Sequence, residues 1–356
     1  MRPACAILDA AALRANLAVV KRRAPHARVM AVAKANGYGH GLVFVARALR
    51  GVDAFGVASL EEGLELREAG ICEGICLLEG FFDPGEIGAL IRFGLTPVLH
   101  EDYQIEALEA CHLEGPLDVW IKIDTGMHRL GFPPGRLPEI VARLRRIRLI
   151  RQAGVMSHLA AADDQTSPAT KRQITVMTDA CGGLVKKSLA NSAGILCWPE
   201  SHGDWVRPGL MLYGASPLPG QTGSELGLSP VMTLKSRLIS VRTRDAGDTL
   251  GYGGTYCCPE EMPVGVAAIG YGDGYPRELA PGTPVRIHDR LAPIIGRVSM
   301  DMLSIDLRGI PGVRVGDEVV LWGKGLPVER IAEAAGTIPY TLLCGLTQRL
   351  PRREAP

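Results

Sequence analysis

Eight short apolar runs in the first two-thirds of the chain end at or contain a polar residue, and those polar residues are the ones that could do chemistry. Arg28 to Ala33 ends at Lys34, Ala54 to Ala58 at Ser59, Ile75 to Leu78 at Glu79 and Leu95 to Leu99 at His100. Val119 to Ile123 ends at Asp124, Gln152 to Ser157 at His158 and Ser188 to Ala190 at Asn191, while the run from Asp204 to Tyr213 contains Arg207. An amine, a guanidinium, two imidazoles and two carboxylates form a set that can move protons and bind anions.

Lys34 stands out. A lysine after an apolar strand is either a capped surface residue or a functional amine. Here it is followed by Ala35-Asn36-Gly37-Tyr38-Gly39-His40-Gly41, a stretch whose glycines let a flat molecule come close. The three glycines fit neither the Walker spacing nor the dinucleotide fingerprint. The stretch does fit a lysine that condenses with the aldehyde of pyridoxal phosphate, since a hydroxyl and backbone N–H groups for the phosphate lie beside the amine.

Strand–helix alternation must position these groups. Ser59 with Glu62 reads as a capping box and Gly70 as a helix stop; Asp83-Pro84 with Glu86 starts another helix and Gly94 ends it. Eight such units with continuous apolar strands predict a parallel sheet closed into an α/β (β/α)8 TIM barrel. A doubly wound open sheet is the alternative. The Gly-, Pro- and Ser-rich segment from Pro217 to Pro230 marks a boundary, giving a barrel over 1–228 and a second domain over 229–356. Beyond it, Leu238 to Val241, Val264 to Ile269, Thr283 to Ile287, Leu303 to Ile305 and Val319 to Leu321 predict a mainly antiparallel β domain. One late helix is expected near Val328 to Ala335, and the last residues read as a frayed terminus.

Composition narrows the function. Of 356 residues 47% are hydrophobic and 22% charged, which suits a globular protein rather than a disordered one. A net charge of +1 gives no pull toward nucleic acid, and no apolar run is long enough for a membrane. Asp9 and Arg14 interrupt the stretch an export signal would keep apolar. Nine cysteines, an odd number, predict free thiols in the cytoplasm. Cys257 and Cys258 are adjacent and ill placed to bridge each other. Cys72 and Cys76 lack the His or second Cys pair of a zinc site, so no metal is expected.

The residues from Ala31 to Gly41 resemble the cofactor-attachment motif of the alanine racemase family. The resemblance continues in order through Lys122-Ile123-Asp124-Thr125-Gly126-Met127-His128-Arg129-Leu130-Gly131, His158 to Asp163, Ala190-Asn191-Ser192-Ala193 and Val206-Arg207-Pro208-Gly209. In the second domain it covers Gly251 to Tyr256, Ile269 to Gly274, Gly296 to Met302 and Ile338-Pro339-Tyr340. It implies a pyridoxal 5'-phosphate-dependent isomerase that interconverts L-alanine and D-alanine, with a barrel followed by a β domain.

The same resemblance implies roles. Lys34 holds the cofactor and is one base; Tyr252 is the second, donated by the other subunit of a homodimer with shared active sites. Arg207 faces the pyridine nitrogen, and His158 links Tyr252 to Arg207. Tyr38, Ser192, Tyr340 and the backbone at Gly209 and Leu210 cradle the phosphate, with Asn191 beside them. Arg129 grips the substrate carboxylate, and Lys122 matches a lysine that many members carry as a carbamate. Tyr271, Met300 and Asp301, from the β domain of the other subunit, line the substrate entrance. Three other readings remain open: a pyridoxal-phosphate carrier, a racemase of broader specificity, and a related decarboxylase of basic amino acids. The carrier would lack the β domain and the residues Tyr252, Tyr271 and Met300.

Overall fold

The computed structural model describes residues 2–182 and 186–355. Its first strand, β1 (Cys5–Leu8), leads into the helix Ala10–Arg23, which Asp9 caps by accepting from the Ala12 N–H at 2.9 Å. Lys21, Arg22 and Arg23 close that helix, where cations suit its negative end.

The barrel follows. Its strands are β2 (Arg28–Val32), β3 (Ala54–Val57), β4 (Gly74–Leu77), β5 (Leu95–Leu99), β6 (Leu117–Lys122), β7 (Ile150–Met156), β8 (Lys187–Ser188) and β9 (Trp205–Val206). Each pairs in parallel with the next, and β9 returns to β2 through Arg28↔Trp205 and Val29↔Val206. All four residues of β3 are buried, because helices cover the outside and side chains fill the inside. The closed barrel excludes the open-sheet alternative.

Two local expectations change and one holds. The run from Asp204 to Tyr213 is not one strand: β9 takes two residues, and Leu210–Tyr213 winds into a 3₁₀ turn after Gly209. Asp83 and Glu86 do form their capping box. Ser59 and Glu62 do not, because the Glu62 carboxylate turns toward other unpaired amides, accepting from Ala58 at 2.8 Å and from Ala35 at 2.7 Å.

The second sheet contains β10 (Met232–Arg244), β13 (Met262–Ala267), β14 (Pro284–Ile287), β15 (Arg290–Ile295), β16 (Leu303–Asp306) and β17 (Glu318–Trp322). These pair antiparallel in the order β13-β16-β15-β14-β17-β10, and β13 also pairs with β10 to curl the sheet closed. A small ribbon, β11 (Thr249–Leu250) with β12 (Tyr256–Cys257), brackets Tyr252. The expected late helix spans Val328–Ala334, and a further one spans Pro339–Cys344.

The chain ends depart most from expectation. The terminus read as frayed forms β18 (Arg352–Glu354), parallel to β1. β1 in turn pairs antiparallel with β10, so residues 5–8 belong to the sheet of the second half although they precede the barrel.

Candidate active site

The C-terminal ends of the barrel strands form the rim where reactive groups gather. β2 ends two residues before Lys34, and the chain then winds the left-handed way: φ is 55° at Ala35, 54° at Asn36, 59° at Gly37 and 51° at Tyr38. Each non-glycine residue in that state costs about 1–2 kcal/mol, so the turn is a stored strain that its surroundings must hold. It delivers Lys34 and Tyr38 to the same rim. The Lys34 Nζ lies 3.9 Å from Glu79 Oε1 with both side chains about two-fifths exposed, a pairing too weak to tie up the amine.

Behind Lys34 lies a group of cations. Arg207 is buried, and its guanidinium donates to Ser188 Oγ at 2.6 Å, to the Ser157 carbonyl, and to His158 Nδ1 at 3.4 Å. Burial draws Arg207 down to about 10. Burial, with Arg207, Arg129 and Lys34 nearby, draws the Lys122 amine down to about 8, and Glu79 opposes that fall. Burial and the same cations draw His158 down to about 3, leaving a neutral ring. Such a mouth calls for an anionic ligand.

The phenols supply a second feature. Tyr38 stacks on Tyr213 at 4.6 Å and lies 5.7 Å from Tyr340. Burial holds Tyr38 well above its ordinary value and raises Tyr340 to about 12, so both remain hydroxyl donors. Ser192 Oγ accepts from Gly209 N at 3.0 Å and Met211 N at 3.3 Å. A Cβ at position 209 would sit 2.5 Å from Tyr38 Oη, so only glycine leaves that hydroxyl its place. Hydroxyls and backbone N–H groups meeting beside an amine and buried cations suit pyridoxal phosphate, whose aldehyde needs the amine and whose phosphate needs donors.

The remaining expected residues are placed as follows. Asn191 spends its side-chain oxygen on the Gly194 N–H at 2.9 Å, capping the helix Ser192–Cys197. Asp124 accepts from the Gly126, Met127 and His128 amides and from the His128 ring, and so shapes the loop that presents exposed Arg129. Burial acts against its ionisation, but the His128 and Gly126 amides hold the carboxyl below its usual range. Asp301 is bound by Arg2 at 2.9 Å and by Arg349. The same two arginines bind the buried Asp273, which ties the turn Tyr271–Asp273 to both chain ends.

Tyr252, Met300 and Tyr271 are 66%, 51% and 37% exposed. Among the described residues the Tyr252 hydroxyl makes no hydrogen bond, so within one chain the link from His158 reaches Arg207 but not Tyr252.

Sequence reasoning missed Tyr213 and Arg352, and it gave Glu62 only a helix-capping role. Tyr213 Oη donates to the Val32 carbonyl at 2.9 Å, two residues before Lys34. Its place inside an apolar run carried no signal of that bond.

Comparison with known proteins gives a consistent picture. Residues 8–217 match the family described as alanine racemase, N-terminal domain, and residues 231–354 its C-terminal domain. The chain is 50% identical over 348 residues to an alanine racemase of Nitrosococcus oceani, covering 98% of each. It is 47% identical to that of Aeromonas hydrophila, covering 98% of this chain and 99% of the other. The solved biosynthetic alanine racemase of Pseudomonas aeruginosa superposes with a TM-score of 0.96 at 45% identity, covering all of both chains. The alanine racemase of Bartonella henselae, solved with covalently bound pyridoxal phosphate, gives 0.89 at 28% identity over all of both chains.

Proposed function

The chain belongs to the alanine racemase family, and from that premise we propose how its own residues interconvert L-alanine and D-alanine. The protein is an isomerase that uses pyridoxal phosphate. When bound, that cofactor supplies the electron sink that lets the α-proton of an amino acid leave.

Lys34 holds the cofactor and moves the α-proton on one face of the substrate. Tyr252 of the partner subunit serves the other face, because racemisation needs a base on each side. Tyr38, Ser192, Tyr340 and the Gly209 and Leu210 amides hold the phosphate, and Asn191 fixes the loop beside them. Arg207, always protonated, donates toward the ring nitrogen, with His158 neutral next to it. Arg129 takes the substrate carboxylate, and Lys122, as a carbamate, orients Arg129. Tyr271, Met300 and Asp301 line the entrance and favour a small side chain.

The observation that carries this reading is the left-handed turn that sets Lys34 and Tyr38 beside buried Arg207 at one rim. The exposed, unbonded Tyr252 supports a homodimer with shared sites. The domain division at 228 and 229 is part of the proposal, with β1 crossing it. Nine cysteines free of disulfides support a cytoplasmic setting, and among the described residues no helix is long and apolar enough to cross a membrane. The test is a racemisation assay over a panel of L-amino acids, with and without added cofactor. Cofactor-dependent turnover of alanine is expected; carbon dioxide release from lysine, ornithine or arginine without racemisation would overturn the reading.

A further inference from the structure

We infer that Glu62 and Arg352 are positioning residues that together hold the turn Lys34–Gly39 in its left-handed form, and so set how firmly the barrel keeps its cofactor. The inference rests on the reading of Lys34 as the cofactor lysine.

The turn cannot hold itself. Ala35 and Tyr38 are left-handed without a glycine's freedom; the local bonds run from Gly39 N to the Ala35 carbonyl at 3.0 Å, from Gly41 N to the Asn36 carbonyl at 2.9 Å and from Leu42 N to the Asn36 side chain at 2.8 Å. A helical turn also leaves its first N–H groups and its last carbonyls unpaired. Here Glu62 meets the first N–H groups, and Arg352 with the neutral His40 ring meets the last carbonyls.

At the opening of the turn, Glu62 Oε1 accepts from Ala35 N at 2.7 Å and from Asn36 N at 3.4 Å. Its other oxygen accepts from Ala58 N at 2.8 Å, just past β3. One carboxylate therefore fastens the turn to the neighbouring strand. At the close of the turn, the His40 ring nitrogen Nδ1 faces the Gly37 and Tyr38 carbonyls at 3.1 and 2.9 Å. Arg352 Nε donates to the Gly39 carbonyl at 2.6 Å, and its Nη2 to the Leu346 carbonyl at 3.2 Å. Leu346 lies just past the helix Pro339–Cys344, which carries Tyr340. A side chain at Gly39 would collide with the Leu343 carbonyl, so the turn is pressed against that helix and Arg352 bridges the two. The anion sits at the N–H end and the cation at the carbonyl end. Hydrogen bonds of this charge-assisted kind are about twice as strong as neutral ones.

An ordinary role is conceivable for each. Glu62 stands in the first turn of the helix Leu60–Glu68, where any acid helps, and Arg352 lies in an edge strand. Those roles would change overall stability without singling out the turn, and the test separates the two cases.

The variants are Glu62→Ala, Glu62→Gln, Arg352→Ala, Arg352→Lys and the double alanine variant. Three quantities are read: the Kd of pyridoxal phosphate for the cofactor-free chain, amide exchange across residues 33–42 of that chain, and the Tm. Each alanine change should weaken cofactor binding roughly 10- to 100-fold, the loss expected for a hydrogen bond to a charged group. Exchange should quicken at 35–39 more than elsewhere. Arg352→Lys should recover part of the loss, since an ammonium can still reach one carbonyl. Glu62→Gln should not recover fully, because its NH₂ must face one of the amides that the carboxylate accepts from. The double variant should fall short of the product of the single effects, because both residues hold the same turn. If an alanine variant does not fold, the glutamine and lysine variants decide. An unchanged Kd with unchanged exchange would overturn the inference, as would a Kd that moves only in step with Tm and exchange that quickens everywhere. Borohydride fixation of the cofactor, followed by peptide mapping, keeps this apart from the underlying reading: a label on another lysine removes the role of Lys34, whatever the clamp does.

Discussion

Arg207 donates through Nη2 to Nδ1 of His158 across 3.4 Å. A guanidinium keeps its protons, so that histidine nitrogen must accept and the ring proton must sit on Nε2. Among the described residues no carboxylate pairs with Arg207. A buried positive charge is therefore met by a hydroxyl, a carbonyl and a neutral ring, and it acts on every titratable group nearby.

The first prediction removes that charge. Burial is the larger cause of the depressed His158 and Lys122 values, and Arg207 comes next in both. Arg207→Gln should let both groups rise part of the way to their ordinary values, while burial keeps them below. An NMR pH titration of the His158 ring reads this directly. A His158 value that stays at its original level would show that Arg207 exerts no such field.

Acid stability should depend on His40 as well as His158. Burial takes His40 down to about 4, with its Nδ1 held by two carbonyls. Above about pH 6.5 both histidines are neutral folded and unfolded, and neither affects stability. Below that, the unfolded chain takes protons that the folded chain refuses, so stability falls until about pH 4 for His40 and about pH 3 for His158. For His40 the slope should be about 1.4 kcal/mol per pH unit within that window. Urea unfolding from pH 7 to pH 4.5 should show His40→Asn with a shallower fall than the parent. Parallel curves would contradict the assignment.

Lys122 should take up carbon dioxide. Its nitrogen must be neutral to attack the carbon, forming an N–C bond and releasing one proton to water. An amine drawn down to about 8 by burial, Arg207, Arg129 and Lys34 meets that need close to neutrality. The product is an anion set among those cations. With ¹³C-labelled bicarbonate, a carbamate resonance should grow from about pH 7 to about pH 9 and vanish in Lys122→Gln. Its absence from the parent protein across that range would end the proposal.

These residues were legible in the sequence to different degrees. The barrel could be read because strands buried on both faces are continuous apolar runs, as in β3, whereas two-residue strands such as β9 leave no such trace. β18 hid because it is an edge strand of Arg, Arg and Glu, and charged edges look like loose ends. The Ser59-x-x-Glu62 spacing is that of a capping box. Whether its acid caps its own helix or reaches the unpaired amides of the Lys34 turn depends on a neighbour that sequence spacing does not encode. Asp301 is expected at the entrance from the family resemblance alone, and nothing in the spacing shows that its carboxylate binds Arg2 and Arg349 from opposite ends of the chain. Tyr252 carried no signal beyond the family resemblance, since an exposed tyrosine between glycines has many uses.

The last prediction concerns Lys34 and Tyr252 together. If each site draws Lys34 from one chain and Tyr252 from the other, a twofold pairing builds two identical sites. Lys34→Ala should abolish activity, and Tyr252→Phe should reduce it severely, since a positioned general base contributes ~10²–10⁴-fold. When the two variants exchange subunits, a mixed dimer has one site carrying both lesions and one carrying neither. Random exchange makes about half the dimers mixed, so roughly a quarter of all sites regain both bases. Activity should return to about a quarter of that of the unaltered enzyme in a mixture shown by mass to contain mixed dimers. A chain bearing both substitutions, mixed with itself, should stay inactive and so excludes recovery by refolding alone. If mixed dimers form and no activity returns, Tyr252 does not act across the interface.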